Sequence, residues 1–341
     1  MGVFKTVKFT HIYVEEKLKK DPAAARILAR FPKAQVIYVR HYKDVFNRSH
    51  QSFMRQKAHQ ALILAKKEGQ LIYEGAPVCQ NFGNYYFYYT SCMMNCIFDC
   101  EYCYLQGMYP SGNIVLFVNL EDIFEEVRRL LTKHPVYLCI SYDTDLLAVE
   151  NMTGFVKAWC AFARQYEQLT VEIRTKSAAF DQIRQIEAPK NVILAWSVSP
   201  EVIARQYEHF AAPTEARLLS AKTAWTCGWR IRLCLEPLLY IQGWQDIYGA
   251  LIRRIFEIVP PHAVTDMSVG EFRVSVQYLK TMRRQRPGSA VLFYPYTADR
   301  GVYHYDRKLS ESMLSFVTEE LKKYISKQQI YLWSEKEEIG E

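Results

Sequence analysis

The run Cys92-Met93-Met94-Asn95-Cys96-Ile97-Phe98-Asp99-Cys100-Glu101-Tyr102-Cys103-Tyr104 concentrates four of the chain's nine cysteines. Within it, Cys96, Cys100 and Cys103 are spaced Cys-x-x-x-Cys-x-x-Cys. An odd count with this clustering points to metal rather than to a disulfide framework. A cubane four-iron four-sulfur (4Fe-4S) cluster normally takes four cysteines, so three leave one iron open to a substrate or cofactor. A closed zinc site is the structural alternative, with Cys92 as the fourth ligand, although structural zinc sites usually split their ligands into two separated pairs. Cys79, Cys139, Cys160, Cys227 and Cys234 lie scattered through apolar segments, where a buried free thiol is the ordinary reading.

Something must hold that loop, and the remaining pattern says what. The 341 residues are 50% hydrophobic and 14% aromatic with few Gly and Pro, so the chain is expected to fold throughout and disorder is excluded. No apolar run reaches the roughly 18 residues of a membrane span, and Met1-Gly2-Val3-Phe4-Lys5 lacks the apolar stretch of a leader, which predicts a cytoplasmic protein without a membrane partner. A net charge of +7 permits a polyanionic partner without requiring one.

Residues 1–84 read as a small N-terminal α/β domain, with strands over 10–14 and 35–38 and helices over 16–30 and 51–67. The aromatic run Tyr85-Tyr86-Phe87-Tyr88-Tyr89 reads as a strand leading into the cysteines. Residues 85–287 then alternate short β-branched runs with amphipathic stretches, with strands at 114–118, 136–141, 169–175, 192–198, 230–235 and 267–272. This alternation implies parallel strands in an α/β partial (β/α)6 barrel, whose reactive groups gather at the carboxyl ends of the strands. Asn119 with Asp122 predicts an N-terminal cap, and Gly228 a helix stop. Residues 288–341 read as a C-terminal extension. In it, Val291-Leu292-Phe293-Tyr294-Pro295-Tyr296 and Val302-Tyr303-His304-Tyr305 flank an Asp299-Arg300-Gly301 turn as a β-hairpin, followed by a helix over 310–325 and a strand over 330–333.

The three-cysteine spacing resembles the signature of the radical S-adenosylmethionine (SAM) superfamily, in which the amino and carboxylate groups of SAM chelate the open iron. An aromatic before the last cysteine, here Tyr102, is usual there, and the triplet 92, 96, 100 has the wrong second interval. The string Cys100-Glu101-Tyr102-Cys103-Tyr104-Leu105-Gln106 looks like spore photoproduct lyase. So do Val118-Asn119-Leu120-Glu121-Asp122-Ile123-Phe124, Cys139-Ile140-Ser141, Glu150-Asn151-Met152-Thr153-Gly154, Thr175-Lys176, and Pro237-Leu238-Leu239-Tyr240-Ile241 with Gly243-Trp244. The likeness covers residues 85–305.

The resemblance implies a lyase that returns a methylene-bridged thymine dimer in double-stranded DNA to two thymines. Its cofactors would be a 4Fe-4S cluster on Cys96, Cys100 and Cys103 together with S-adenosyl-L-methionine, and its electron donor a protein such as flavodoxin or ferredoxin. A 5′-deoxyadenosyl radical takes hydrogen from C6 of the lesion, the bridge fragments, and a cysteine donates hydrogen to the resulting radical. Cys139 falls at that donor position, and Tyr102 and Tyr104 correspond to the relay tyrosines that return a hydrogen. Ser141 and Asp143 match positions near the SAM ribose, Lys176 one near its carboxylate, and Ser197 one on the fourth strand. The hairpin looks like a wedge that enters the duplex, with Arg300, Tyr303 and Tyr305 as DNA contacts; Lys280, Arg283, Arg284 and Arg286 offer charge to phosphates. Glu236 stands where the family has a small residue, which sets a carboxylate against adenosine or substrate. Two other functions stay open: a related radical SAM enzyme acting on another lesion or substrate, and a non-catalytic DNA-binding protein with a structural metal.

Overall fold

The structure is a computed structural model that describes residues 8–75 and 79–333, so the opening residues 1–7, read above for a leader, lie outside the described residues. Its larger sheet has eight strands, in the order Ile330–Leu332, Val264–Glu271, Arg230–Leu238, Val192–Ser197, Leu169–Thr175, Val136–Cys139, Phe87–Tyr89 and Tyr73–Glu74. All neighbours run parallel except the last pair. The six strands from Phe87–Tyr89 to Val264–Glu271 follow one another in chain order and form the curled half-barrel. Every residue of Val192–Ser197 is buried, as expected of a strand covered on both faces by crossover segments.

Each outer helix has a local reason for its place. Leu120–Leu131 carries Glu121 and Asp122 in its first turn and Arg128 and Arg129 in its last, matching the helix dipole, and buries Ile123, Phe124 and Val127. Phe124 stacks on Phe162 at 4.3 Å and meets Trp159 edge-on at 4.8 Å. Asn119 stands at the expected N-cap position but makes no side-chain hydrogen bond to the helix backbone. Its amide instead joins Lys67 to the helix, accepting from Lys67 N at 2.7 Å and donating to Lys67 O at 3.0 Å and Asp122 Oδ2 at 2.8 Å. Gly228 takes φ +85 beyond the helix Thr214–Thr226, as its position predicts.

The smaller sheet runs Gln35–Val39, His11–Glu15, Leu62–Ala65, Ile114–Phe117 and Met93–Met94. The division expected at residue 84 is therefore crossed by hydrogen bonds. Ile114–Phe117, read as a barrel strand, pairs in parallel with Leu62–Ala65 of the N-terminal segment. The expected helix over 51–67 ends at Ala58, and the apolar run that follows is a fully buried strand. A short continuous apolar run has no period of its own, so its pairing partner decides its conformation. The N-terminal sheet and the barrel share one apolar core from Phe9 to Ile325.

In the extension, residues 291–296 form no strand. The hairpin joins Thr297–Asp299 to Val302–His304 across Arg300 (φ +44) and Gly301 (φ +81), the two left-handed positions that a tight hairpin turn demands. Among the described residues no helix is long and apolar enough to cross a membrane.

Candidate active site

The strand Phe87–Tyr89 delivers the chain to Thr90, whose N–H donates to Cys139 O at 3.1 Å and whose hydroxyl donates to Leu71 O at 2.7 Å. Asn95, at φ +67, turns the chain just before Cys96, its amide donating to Ser111 O at 2.6 Å and Asn113 O at 2.7 Å. Asp99–Cys100 then pairs antiparallel with Glu208–His209, and Cys103 N closes onto Cys100 O at 3.1 Å. Gly107 lets the short helix that follows press on Tyr278, since a Cβ there would lie 2.7 Å from Tyr278 Cα. Three long side chains pin the loop from outside it. Lys57 and Gln60 donate to Cys96 O, Gln60 at 3.1 Å, while Arg286 binds Asp99 and, at 2.9 Å, Gln106.

Cys96, Cys100 and Cys103 open onto one cavity of about 630 Å³, within the roughly 300–1,000 Å³ of small-molecule sites. Burial pushes the Cys96 thiol up to about 12 and raises Cys100 and Cys103 as well, so thiolates form here only with a cation to hold them. Among the described residues no three Cys, His, Asp or Glu side chains converge on the position of a single metal ion. A cubane spreads its ligand sulfurs over separate irons, and three thiols around a shared cavity fit that better than a closed zinc site. Cys92 stands apart: it is fully buried in the core, with Trp159 Nε1 donating to its sulfur at 3.4 Å.

The barrel strands supply the opposite wall from their carboxyl ends, with Cys139, Ser141, Lys176, Ser197 and Glu236 all on the cavity. Cys139 lies in register with Tyr89 and Glu172, and burial raises its thiol strongly, keeping it as S–H. Ser141 Oγ accepts from Arg174 N at 2.6 Å. Glu236 pairs with Arg174 at 2.9 Å, Arg174 with Glu172 at 3.0 Å, and Glu172 with Arg232 at 2.5 Å. The carboxylate of Glu236 thus meets a guanidinium on the cavity wall.

Tyr102 and Tyr104 both line the cavity, with different attachments. Tyr104 donates to Tyr142 O at 2.9 Å. Tyr102 donates to Glu208, which also accepts from Ser199 at 2.9 Å and Arg217 at 2.5 Å and lies 3.8 Å from Lys176 Nζ. Burial alone would raise the Glu208 carboxyl, but Arg217 and Lys176 reverse that and hold it down to about 2.

Three expectations are corrected here. Asp143 is buried and accepts from Ser91, while its neighbour Asp145 joins Glu172, Glu236 and Glu271 on the cavity wall. Asp145 accepts from Thr175 Oγ1 at 2.8 Å and Lys176 N at 2.7 Å, bracing the strand end that carries Lys176. A one-residue register in a loop decides which aspartate turns inward, and spacing alone does not carry it. Tyr305 is 1% exposed and its hydroxyl accepts from Tyr240 N at 2.8 Å, so it is a core residue and not a surface for DNA. The neighbouring Arg300 is exposed at the hairpin tip, Tyr303 is half-buried with the Arg283 guanidinium 5.6 Å from its ring, and Val302 reaches the cavity. Arg286, read as a phosphate contact, belongs to the cysteine loop. Glu208, Arg217, Lys57 and Tyr142 carried no sequence signal, since each acts through a partner more than thirty residues away or, for Arg217, nine residues away around a turn.

The family model for spore photoproduct lyase matches residues 86–288. The chain belongs to the spore photoproduct lyase family. That match runs from the first barrel strand past the sixth and ends before the hairpin. Curated spore photoproduct lyases are similar at 22% identity in Clostridium acetobutylicum, over 49% of this chain and 51% of that protein, and at 19% in Bacillus subtilis, over 51% and 52%. The chain spans about half the length of the curated relatives it matches. A solved spore photoproduct lyase complexed with dinucleoside spore photoproduct superposes at TM-score 0.80 with 15% identity, covering 95% of this chain and 99% of the other, so the two share one fold over nearly their whole lengths. A second, with bound AdoMet as well, also superposes at 0.80 over 95% and 98%.

Proposed function

We propose that this chain is a radical SAM lyase that returns the methylene-bridged thymine dimer of DNA to two thymines. The observation that carries the reading is that the thiol of Cys139 and those of Cys96, Cys100 and Cys103 face one cavity at the carboxyl ends of the barrel strands. When bound, the cluster and SAM supply the reductive cleavage that yields a 5′-deoxyadenosyl radical. Lys176, on a strand end braced through its backbone N–H by Asp145 with Thr175 behind it, offers an ammonium to the SAM carboxylate, and Ser141 and Ser197 offer oxygens to its polar groups.

Cys139 acts on the thymine radical left when the bridge fragments. Its S–H bond breaks, a C–H bond forms on the thymine methyl carbon, and a thiyl remains. An O–H hydrogen from the cavity tyrosines Tyr104 and Tyr102 would restore the thiol and leave a phenoxyl, which would regain its hydrogen from 5′-deoxyadenosine as the resulting 5′-deoxyadenosyl radical returned to SAM. Arg300 and Tyr303 on the hairpin meet the duplex and hold the lesion out of the stack, an extrusion of a few kcal/mol. The partners of this reading are double-stranded DNA and a flavodoxin or ferredoxin in the cytoplasm.

The test is an anaerobic assay with dithionite, SAM and an oligonucleotide carrying spore photoproduct. Restoration of two thymines is expected. No thymine from protein with verified iron and sulfide would overturn the reading.

A further inference from the structure

Lys57 comes from outside the barrel. It lies in the short helix Phe53–Ala58, is 6% exposed, and donates through Nζ to the backbone carbonyl of Cys96. Gln60 steadies the same carbonyl at 3.1 Å and ties it to Gly112 O at 2.9 Å. Among the described residues no carboxylate forms an ion pair with Lys57. Asp99 acts on it through space but is taken by Arg286, and the other ammonium facing the cysteines, Lys176, is matched by Glu208 at 3.8 Å.

A buried ammonium without a carboxylate loses its hydration uncompensated, and a fold keeps one where an anion makes up the loss. The anion facing Lys57 would be the cluster held by Cys96, Cys100 and Cys103, since its Nζ already donates to the backbone carbonyl of the first of these cysteines. We propose that Lys57 is an electrostatic positioning residue for the cluster, whose fixed positive charge at the Cys96 carbonyl raises the potential at which the cluster takes up its electron. The inference rests on reading the cysteine loop as a cluster site. Reduction adds one negative charge to a site already bearing three thiolates, so a nearby cation in low dielectric favours the reduced form more than the oxidised one.

The test is EPR-monitored potentiometric titration, without SAM, of anaerobically reconstituted wild type, Lys57→Gln and Lys57→Arg, each signal normalised to its own maximum so that incomplete loading does not enter. Lys57→Gln keeps a donor to the Cys96 carbonyl and loses the charge; its midpoint is expected below that of wild type, while Lys57→Arg stays close to it. A Lys57→Gln protein that takes up no cluster while Lys57→Arg does supports the same role, because both keep a donor for the Cys96 carbonyl and only Arg keeps the charge. Lys57→Gln titrating at the wild-type midpoint overturns the inference and leaves the cluster reading standing. A wild type without any cubane signal overturns the cluster reading itself.

Discussion

Arg217 donates to Glu208 across 2.5 Å with neither side chain open to solvent, and Glu208 in turn receives the phenol of Tyr102 beside the cysteine loop. One carboxylate therefore joins the fourth strand's helix to the loop between Cys100 and Cys103. Removing one partner from such a pair leaves a buried charge uncompensated, which costs about 3–5 kcal/mol. Arg217→Met should lower stability by about that much in urea unfolding, whereas a change under about 1 kcal/mol would mean that the pair behaves as a surface bridge.

The same pair sets an acid limit. Glu208 is held near 2 in the fold against an ordinary 4.5, so at intermediate pH the folded protein binds fewer protons there than the unfolded chain. Its stabilisation is complete above about 4.5 and is lost as pH falls towards 2. Urea midpoints measured across that window should fall in wild type and fall less in Glu208→Gln, which starts from a lower value at neutral pH. Equal slopes in the two proteins would remove Glu208 as the titrating group.

Cys139→Ala should still consume SAM but lose thymine as the product by at least about tenfold, about 1.4 kcal/mol, because the substrate radical no longer meets an S–H bond. Chromatography of the repaired oligonucleotide measures it. Undiminished thymine formation would take Cys139 out of the reaction.

Asp145 and Asp143 separate the brace of the Lys176 strand end from a buried bystander. Asp145→Asn, which weakens the acceptors for Thr175 and Lys176 N, should reduce SAM binding to reconstituted protein in equilibrium dialysis by about tenfold, the range seen when a supporting residue behind a cofactor ligand is lost. Asp143→Asn should bind SAM within about threefold of wild type, well under 1 kcal/mol. The reverse order would restore Asp143 to the cofactor.

Hairpin residues divide the same way. Arg300→Ala should weaken duplex binding in fluorescence anisotropy and reduce its salt dependence, with stability unchanged. Tyr305→Phe removes the acceptor of the part-buried Tyr240 N–H and should cost about 0.5–1.5 kcal/mol of stability while leaving DNA affinity intact. Loss of DNA affinity in Tyr305→Phe at temperatures where it is folded would contradict its place in the core.

Local pattern alone determined the loop of Cys96, Cys100 and Cys103, the alternation of the half-barrel strands and the placing of Cys139 at a strand end, because thiol spacing and apolar runs are properties of neighbours along the chain. Tertiary structure alone decided the rest. Ile114–Phe117 left the barrel for Leu62–Ala65 because a short apolar strand takes its identity from whichever edge it meets. Asp145 rather than Asp143 faces the cavity because of a loop register, and Lys57 and Arg286 reach the cysteines from 39 and 187 residues away along the chain. Charges brought together over such distances act through space, and no window of sequence contains both ends of them.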